Sequence, residues 1–384
     1  MSASIPALAA RSFAESEQAG HIILYAADSV EEVIDDPFMS LDSADESTSI
    51  FKQFVHVVPA LADKPAVPPR TPDLTRIAQG KRDVFAGPEF GTGEKIMDLK
   101  QGAREYALVH NLHALFTEHF MLVPHFPSGE PFRPQTSDLL ADDLACVWKV
   151  VDAYAKEGRE CVCFFNGGPL AGASQSHLHL QFTPFQHSVP PACEALARAL
   201  RVPSISSSAS TFPPTPSRLP VPWVHFCLPL PPSLQNTPTS SSSTSLSPTA
   251  SQDLYNSYQS LLSASRSFLD TVEEAALPSP GPKRESYNLF MTSQFMHLIP
   301  RTDRLVKVPR VASSSSSSTL PSAEKKEEEQ GEDRETFTLS LNGLLYLSYF
   351  FVGSEAEKED LKRHGLGRTL REGGYKNEEF VARE

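Results

Sequence analysis

No stretch of this chain approaches the roughly 20 consecutive apolar residues that a membrane-spanning helix needs, so no membrane span is expected. Cysteine is scarce: Cys146, Cys161, Cys163, Cys193 and Cys227 are the five in 384 residues. A small, odd count in a chain this long makes no disulfide framework, and a reducing compartment fits it. Basic charge is in deficit. Lys and Arg number 34 against 47 Asp and Glu, for a formal net charge of −13, which argues against the broad basic field of a general nucleic-acid binder. A phosphorylated small ligand stays within reach, because a few backbone N–H groups can hold an anion. Arg11, Glu15 and Glu17 interrupt the N-terminal apolar residues, so no signal peptide is expected. The expectation is a cytoplasmic protein, with the nucleus as a second location, that engages neither membrane nor nucleic acid.

What is present is a core and its interruptions. Hydrophobic residues make up 40% of the chain and 23 residues are Phe, enough to bury a sizeable core. The 33 Pro concentrate between residues 187 and 321, and Ser313 to Ser318 is an unbroken run followed by a Lys/Glu tract. Such composition predicts insertions rather than core. The expected division is a catalytic part over 1–202, a Ser/Pro-rich insertion with one strand over 203–252, and a C-terminal part over 253–384 that contains a disordered insertion at 311–335. No internal repeat stands out.

Local patterning predicts short strands at His21–Tyr25, Tyr106–Asn111, Phe120–Pro124, Glu160–Phe165, His177–Phe182, Trp223–Leu230, Tyr287–Pro300 and Phe337–Asn342. Leu140, Leu144, Val147, Val151 and Tyr154 recur at helical spacing behind Thr136 or Ser137 as a cap, and a second helix is expected from about Ser251 to Ala276. Ser354 and Glu357 form a capping-box signature, with Gly365 placed to end that helix. The apolar segment Phe51–Ala62 closes on Lys64-Pro65, and Asp42 to Ser49 reads as loop. The class is α+β with mainly antiparallel sheet.

The stretch that carries chemistry is Asn166-Gly-Gly-Pro-Leu-Ala-Gly172-Ala173-Ser174-Gln175-Ser176-His177-Leu-His179-Leu-Gln181. On a strand, His177, His179 and Gln181 share one face and Leu178, Leu180 and Phe182 the other. An exposed polar strand face is the plain alternative. The loop before it, rich in Gly and small residues, lets a ligand approach the backbone and presents N–H groups and hydroxyls to an anion. A neutral imidazole in such a setting can attack phosphorus and carry a nucleotidyl group. Loop donors and Gln181 would steady charge on the phosphate oxygens. Cys161 and Cys163 with His177 and His179 offer a nominal zinc set, but the single-residue spacing is unusual for structural zinc, and free Cys in an apolar strand is commonly core. No protein-held metal is expected.

Here the sequence resembles the diadenosine tetraphosphate phosphorylase, or ATP adenylyltransferase, family, a branch of the histidine-triad superfamily related to galactose-1-phosphate uridylyltransferase. The resemblance rests on Phe164-Phe165-Asn166, on Gly172-Ala173-Ser174-Gln175-Ser176-His177-Leu178-His179-Leu180-Gln181, and on blocks at Phe51–Pro65, His110–Pro124, Tyr287–Arg301, Ser340–Gly343 and Lys362–Gly365. Gln181 in place of a third His looks like the transferase branch.

The resemblance implies a histidine-triad-like antiparallel sheet flanked by helices. It also implies phosphorolysis of diadenosine tetraphosphate to ATP and ADP through an adenylyl-histidine. His179 is then the nucleophile, with His177 orienting the site and Gln181 at the phosphate. Asn166, Gly172, Ala173, Ser174, Gln175, Lys64 and Asn111 match substrate-binding positions. The implied partners are adenine nucleotides and phosphate. No cofactor is required, though a divalent cation such as Mg²⁺ can accompany the nucleotide. Ser176, Leu178 and Leu112 depart from the family pattern by removing the Pro and the Lys residues common there. That motivates two alternatives: a non-catalytic nucleotide-binding protein, or a related transferase or hydrolase acting on another dinucleotide or adenylyl sulfate.

Overall fold

The computed structural model describes residues 3–25, 29–35, 52–61, 93–125, 133–187, 190–200, 215–234, 246–272, 286–310 and 336–380. Lys64, the loop expected at 42–49, the insertion expected at 311–335 and, of the expected insertion 203–252, residues 203–214 and 235–245 lie outside these residues.

Among the described residues a nine-stranded antiparallel sheet organises the molecule. In chain order its strands are β4 (Lys95–Gln101), β5 (Arg104–His110), β7 (Phe120–Pro124), β8 (Cys161–Gly167), β9 (Leu180–Pro184), β10 (Ser217–Arg218), β11 (Phe226–Pro229), β12 (Tyr287–Met291) and β13 (Phe295–Pro300). Across the sheet they run β10-β11-β13-β12-β8-β9-β7-β5-β4. The β8–β12 pairing, with Phe165 opposite Leu289, joins the N-terminal strands to the C-terminal ones. The segment containing Trp223–Leu230 thus supplies β11 to the main sheet.

Each face of the sheet is covered by what its alternating side chains can bury. On one face Leu122, Leu180, Phe182, Cys163, Phe165, Leu289 and Leu298 pack with helices α2 (Ala141–Lys156) and α4 (Pro248–Thr271). Helix α2 starts later than Thr136 or Ser137 would start it. Its N-terminus is held instead by the Asp143 carboxylate, which accepts from the Leu140 N–H at 2.7 Å. That carboxylate is buried and also receives the Tyr106 hydroxyl and Arg133. Helix α4 is capped as its composition suggests, with the Ser247 hydroxyl accepting from the Ala250 N–H and Pro248 at the first turn.

The other face buries Val162, Phe164, Phe290 and Ile299. They pack against a three-stranded sheet of β2 (Val30–Asp35), β3 (Lys52–Val57) and β16 (Tyr349–Val352), and against helices α3 (Ala192–Ala199), α5 (Gly343–Tyr346), α6 (Glu355–His364) and α7 (Leu366–Gly373). The cap at Ser354 forms, with Glu357 reaching Gly353 rather than the cap residue. Gly365 ends α6 at φ +94°. Helix α1 (Ile5–Gln18) packs near the β4 edge; its amphipathic pattern is weak against the mixed composition of residues 1–50. The two-residue strands β1 (Ile23–Leu24) and β6 (His113–Ala114) pair in parallel, and β14 (Leu305–Pro309) pairs with β15 (Thr336–Ser340).

Two strand expectations change. Tyr287–Pro300 is a hairpin of two strands. The strand expected at His177–Phe182 begins only at Leu180, for a reason that belongs to the site. No helix among the described residues is long and apolar enough to cross a membrane.

Leu298 is fully buried beneath α4. Leu298→Ala is expected to cost about 2–5 kcal/mol of stability, read as a lower urea midpoint.

Candidate active site

The register that pairs Phe164 with Gln181 would, if continued, set Asn166 against His179. A side chain takes that place instead. The Gln135 amide donates to the Asn166 and His179 carbonyls, both at 3.1 Å, and accepts from the His179 N–H at 2.8 Å. Its neighbours complete a short edge: the Gln135 N–H donates to the Ser176 carbonyl and the Leu178 N–H to the Arg133 carbonyl. Residues 177–179 are therefore extended and held by 133–135, outside the sheet's ladder. Main-chain groups buried this deeply need partners, and Gln135 supplies them while prising β9 away from β8 at His179.

The imidazole of His179 has a defined tautomer. Its Nδ1 lies 2.8 Å from the His177 carbonyl oxygen. A carbonyl can only accept, so Nδ1 carries a hydrogen and, in the neutral ring, Nε2 holds the lone pair. His177 thus orients the His179 ring through its backbone. Its imidazole is fully buried and does not line the pocket, which corrects the expectation that both rings share a ligand-facing strand face.

A cavity of about 750 Å³ opens beside His179. From the sheet it is lined by Val109, Met121, Asn166 and Gln181, and from the loop by Gly172, Ser174 and Gln175. Asn111, Leu112, His113, Leu115 and His119 close a third side, and Asn342 and Leu344 a fourth, with Tyr25, Leu61 and Glu94 at the periphery. Six of the expected residues therefore meet His179 here: Asn111, Asn166, Gly172, Ser174, Gln175 and Gln181. Ala173 does not line the cavity, and Lys64 lies outside the described residues. Gly172 is required by geometry. It sits at φ +85°, and a Cβ there would stand 2.4 Å from the Leu341 carbonyl oxygen.

The Asn166 amide beside His179 is held from behind. Asn166 Oδ1 accepts from the Gly343 backbone N–H at 2.9 Å and from Asn288 Nδ2 at 2.8 Å. A backbone N–H can only donate, so the Asn166 oxygen is turned inward and its NH₂ is left for the cavity. Arg301, fully buried, donates to Asn288 Oδ1 at 2.6 Å and so sets the direction of Asn288 in turn. Sequence reasoning missed Gln135, Asn288, Arg301, Asn342 and His119. Only the last four lie within blocks that carry the family resemblance, and none of the five announces its role by spacing.

Among the described lining residues there is no Lys or Arg, and Glu94 is the one carboxylate. Burial holds the pKa of His119 down to about 4, with a smaller lowering from nearby His179 against a raising contribution from Gln181. The ring is neutral at physiological pH. Leu178 is fully buried in the α2/α4 core, so its apolar character removes nothing from the cavity. Cys161 and Cys163 lie in that same core, and no group of three or more His, Cys, Asp or Glu among the described residues could hold a metal ion.

Residues 96–197 match the Ap4A phosphorylase N-terminal domain, where Ap4A is diadenosine tetraphosphate, and residues 219–376 match the ATP adenylyltransferase C-terminal domain. The chain belongs to the Ap4A phosphorylase family. It is 27% identical over 267 residues to diadenosine 5',5'''-P1,P4-tetraphosphate phosphorylase 2 of Saccharomyces cerevisiae, covering 65% of this chain and 68% of that protein. To Protein APA1 of the same yeast it is 25% identical over 269 residues, covering 67% and 70%. The fold matches the crystal structure of yeast Ap4A phosphorylase Apa2 in complex with Ap4A, with a TM-score of 0.64 at 20% identity over 98% of this chain and 99% of that one. The Apa2 complex with AMP matches with the same TM-score and identity, over 97% and 96%.

Burial sets the pH dependence of stability in this family member. His56, His110 and His119 are each held near 4 by desolvation, against an ordinary value near 6.5. Between those values the unfolded chain takes up protons that the folded chain refuses, so stability falls as pH drops through this window and is fully present above it. The urea midpoint should decline steadily from pH 6.5 to pH 4.5. A flat profile would contradict these burials.

Proposed function

We propose that this enzyme cleaves Ap4A with inorganic phosphate to ATP and ADP, reversibly, through an adenylyl group carried on His179. The observation that carries the reading is the Nδ1–H bond to the His177 carbonyl, which in the neutral imidazole places the lone pair on Nε2, beside the Asn166 and Gln181 amides. The Nε2 lone pair attacks the α-phosphorus, a nitrogen–phosphorus bond forms, the bond from that phosphorus to the bridging oxygen breaks, and ATP leaves. Positive charge grows on the imidazole as this happens, and the His177 carbonyl stabilises it at Nδ1. A phosphate oxygen then attacks the same phosphorus, the nitrogen–phosphorus bond breaks and ADP departs.

The NH₂ groups of Asn166 and Gln181 and the Ser174 hydroxyl are the donors offered to the α-phosphate oxygens. Preorganised neutral donors of this kind stabilise a developing anion without reorganising. The polyphosphate brings several negative charges to a cavity whose described lining has no cationic side chain. A divalent cation such as Mg²⁺ travelling with the nucleotide would offset them.

With Ap4A and phosphate the protein should release ATP and ADP in equal amounts. His179→Ala should lose at least about a thousandfold in turnover while still binding AMP. Turnover that survives in His179→Ala, or tight binding by the unaltered protein with no turnover, would favour a binding-only protein. Cleavage that needs no phosphate would point to a hydrolase.

A further inference from the structure

His119 precedes β7 and is almost fully buried, at 2% exposure, with its ring near Phe164. Its position is built with some effort. Glu118, the residue before it, adopts φ +58°, a left-handed conformation uncommon for a residue with a side chain. The buried Glu118 carboxylate is anchored by the Tyr154 hydroxyl at 2.9 Å and by Arg159 at 2.6 Å. The His119 carbonyl receives the Asn111 N–H, and the His119 N–H donates to the Phe116 carbonyl.

Three polar contacts reach the ring. Nε2 lies 3.0 Å from Gln181 Oε1, the Leu115 backbone N–H points at Nδ1 from 3.4 Å, and Asn111 Nδ2 lies 3.4 Å from Nε2. The backbone N–H can only donate, so Nδ1 is the acceptor and a neutral ring carries its hydrogen on Nε2. That hydrogen goes to the shorter contact, Gln181 Oε1. Asn111 Nδ2, at the longer distance, gains no acceptor from a protonated Nε2. The Gln181 oxygen is therefore engaged by His119, and the NH₂ is the end left for the cavity.

We propose that His119 is a positioning residue that fixes the direction of the Gln181 amide, so that Gln181 presents its donor and not its oxygen to the phosphate. The inference rests on the phosphate-site reading above. An amide has two ends of nearly equal shape and opposite polarity. Turned the other way, Gln181 would set an oxygen against the oxygens of an anion. A ligand phosphate and His119 together select one orientation, and His119 holds it before the ligand arrives, so no reorganisation is needed on binding.

The test is a double-mutant cycle between the two residues, read in both turnover of Ap4A and affinity for AMP. His119→Phe should lower kcat about a hundredfold with little change in KM, the lower end of the scale of one lost donor, and should weaken AMP binding. In a Gln181→Met background the same change should add almost nothing. Two amide substitutions separate positioning from mere packing. The amide nitrogen of Gln can stand where Nε2 stands, whereas that of Asn falls nearer Nδ1. His119→Gln should therefore keep most activity, and His119→Asn should lose it at a similar melting temperature. Full additivity of His119→Phe and Gln181→Met, or equal loss in His119→Gln and His119→Asn, would overturn the assignment. If the unaltered protein binds AMP but does not turn over Ap4A, the enzymatic reading fails. The cycle then still decides the role of His119 on AMP affinity alone.

Discussion

One hydrogen bond, from Nδ1 of His179 to the carbonyl of His177, determines what this site can do. Without it either ring nitrogen could carry the hydrogen, and the tautomer protonated at Nε2 would present a donor where the proposed chemistry needs a lone pair. The bond exists because residues 177–179 leave the sheet one step before β9 begins, and they leave because the Gln135 amide occupies the place of the ladder bonds between Asn166 and His179. The sheet fixes where the segment starts and ends, and a single wedge of side chain bends it into a site.

The same logic extends around the cavity. The chain is strongly acidic, and the described cavity lining holds no Lys or Arg. Binding a phosphate then depends on which way neutral dipoles point. Asn166 is turned by Gly343 and Asn288, Asn288 by Arg301, and Gln181 by His119. Each of these partners is buried, so the bonds are made in a medium where an unpaired polar group is costly. The buried charge of Arg301 stands behind Asn288 and Asn166, and direction is transmitted from it to the front. Phosphate affinity in such a site should rest on hydrogen-bond geometry more than on ionic attraction.

Much of this was legible in the sequence. The β-rich apolar run Phe120–Pro124 and the helical spacing from Leu140 to Tyr154 foretell their elements, the strand because it is buried on both faces and the helix because its apolar stripe meets the core. The Gly-rich loop and His177-x-His179-x-Gln181 point to the cavity, where Gly172, Ser174, Gln175, His179 and Gln181 meet, although the His177 ring stays buried away from it. The α+β class and the antiparallel sheet follow from the same patterns. What was hidden depends on partners distant in sequence. Gln135 lies 44 positions from His179 and Gly343 lies 177 from Asn166. The strand expected from His177 fails for that reason: alternation records which way side chains point, not which backbone is opposite. His119 escaped notice because a buried His before a strand reads as core until its ring nitrogens are accounted for one by one.

The most direct test of the account is to mix the protein with Ap4A in the absence of phosphate and examine it by mass spectrometry. The account predicts one adenylyl group per chain, attached to His179, with ATP released in equal amount, and its discharge as ADP when phosphate is added. A folded protein that binds Ap4A yet forms no adduct, or one that carries the adenylyl group on another residue, would contradict it.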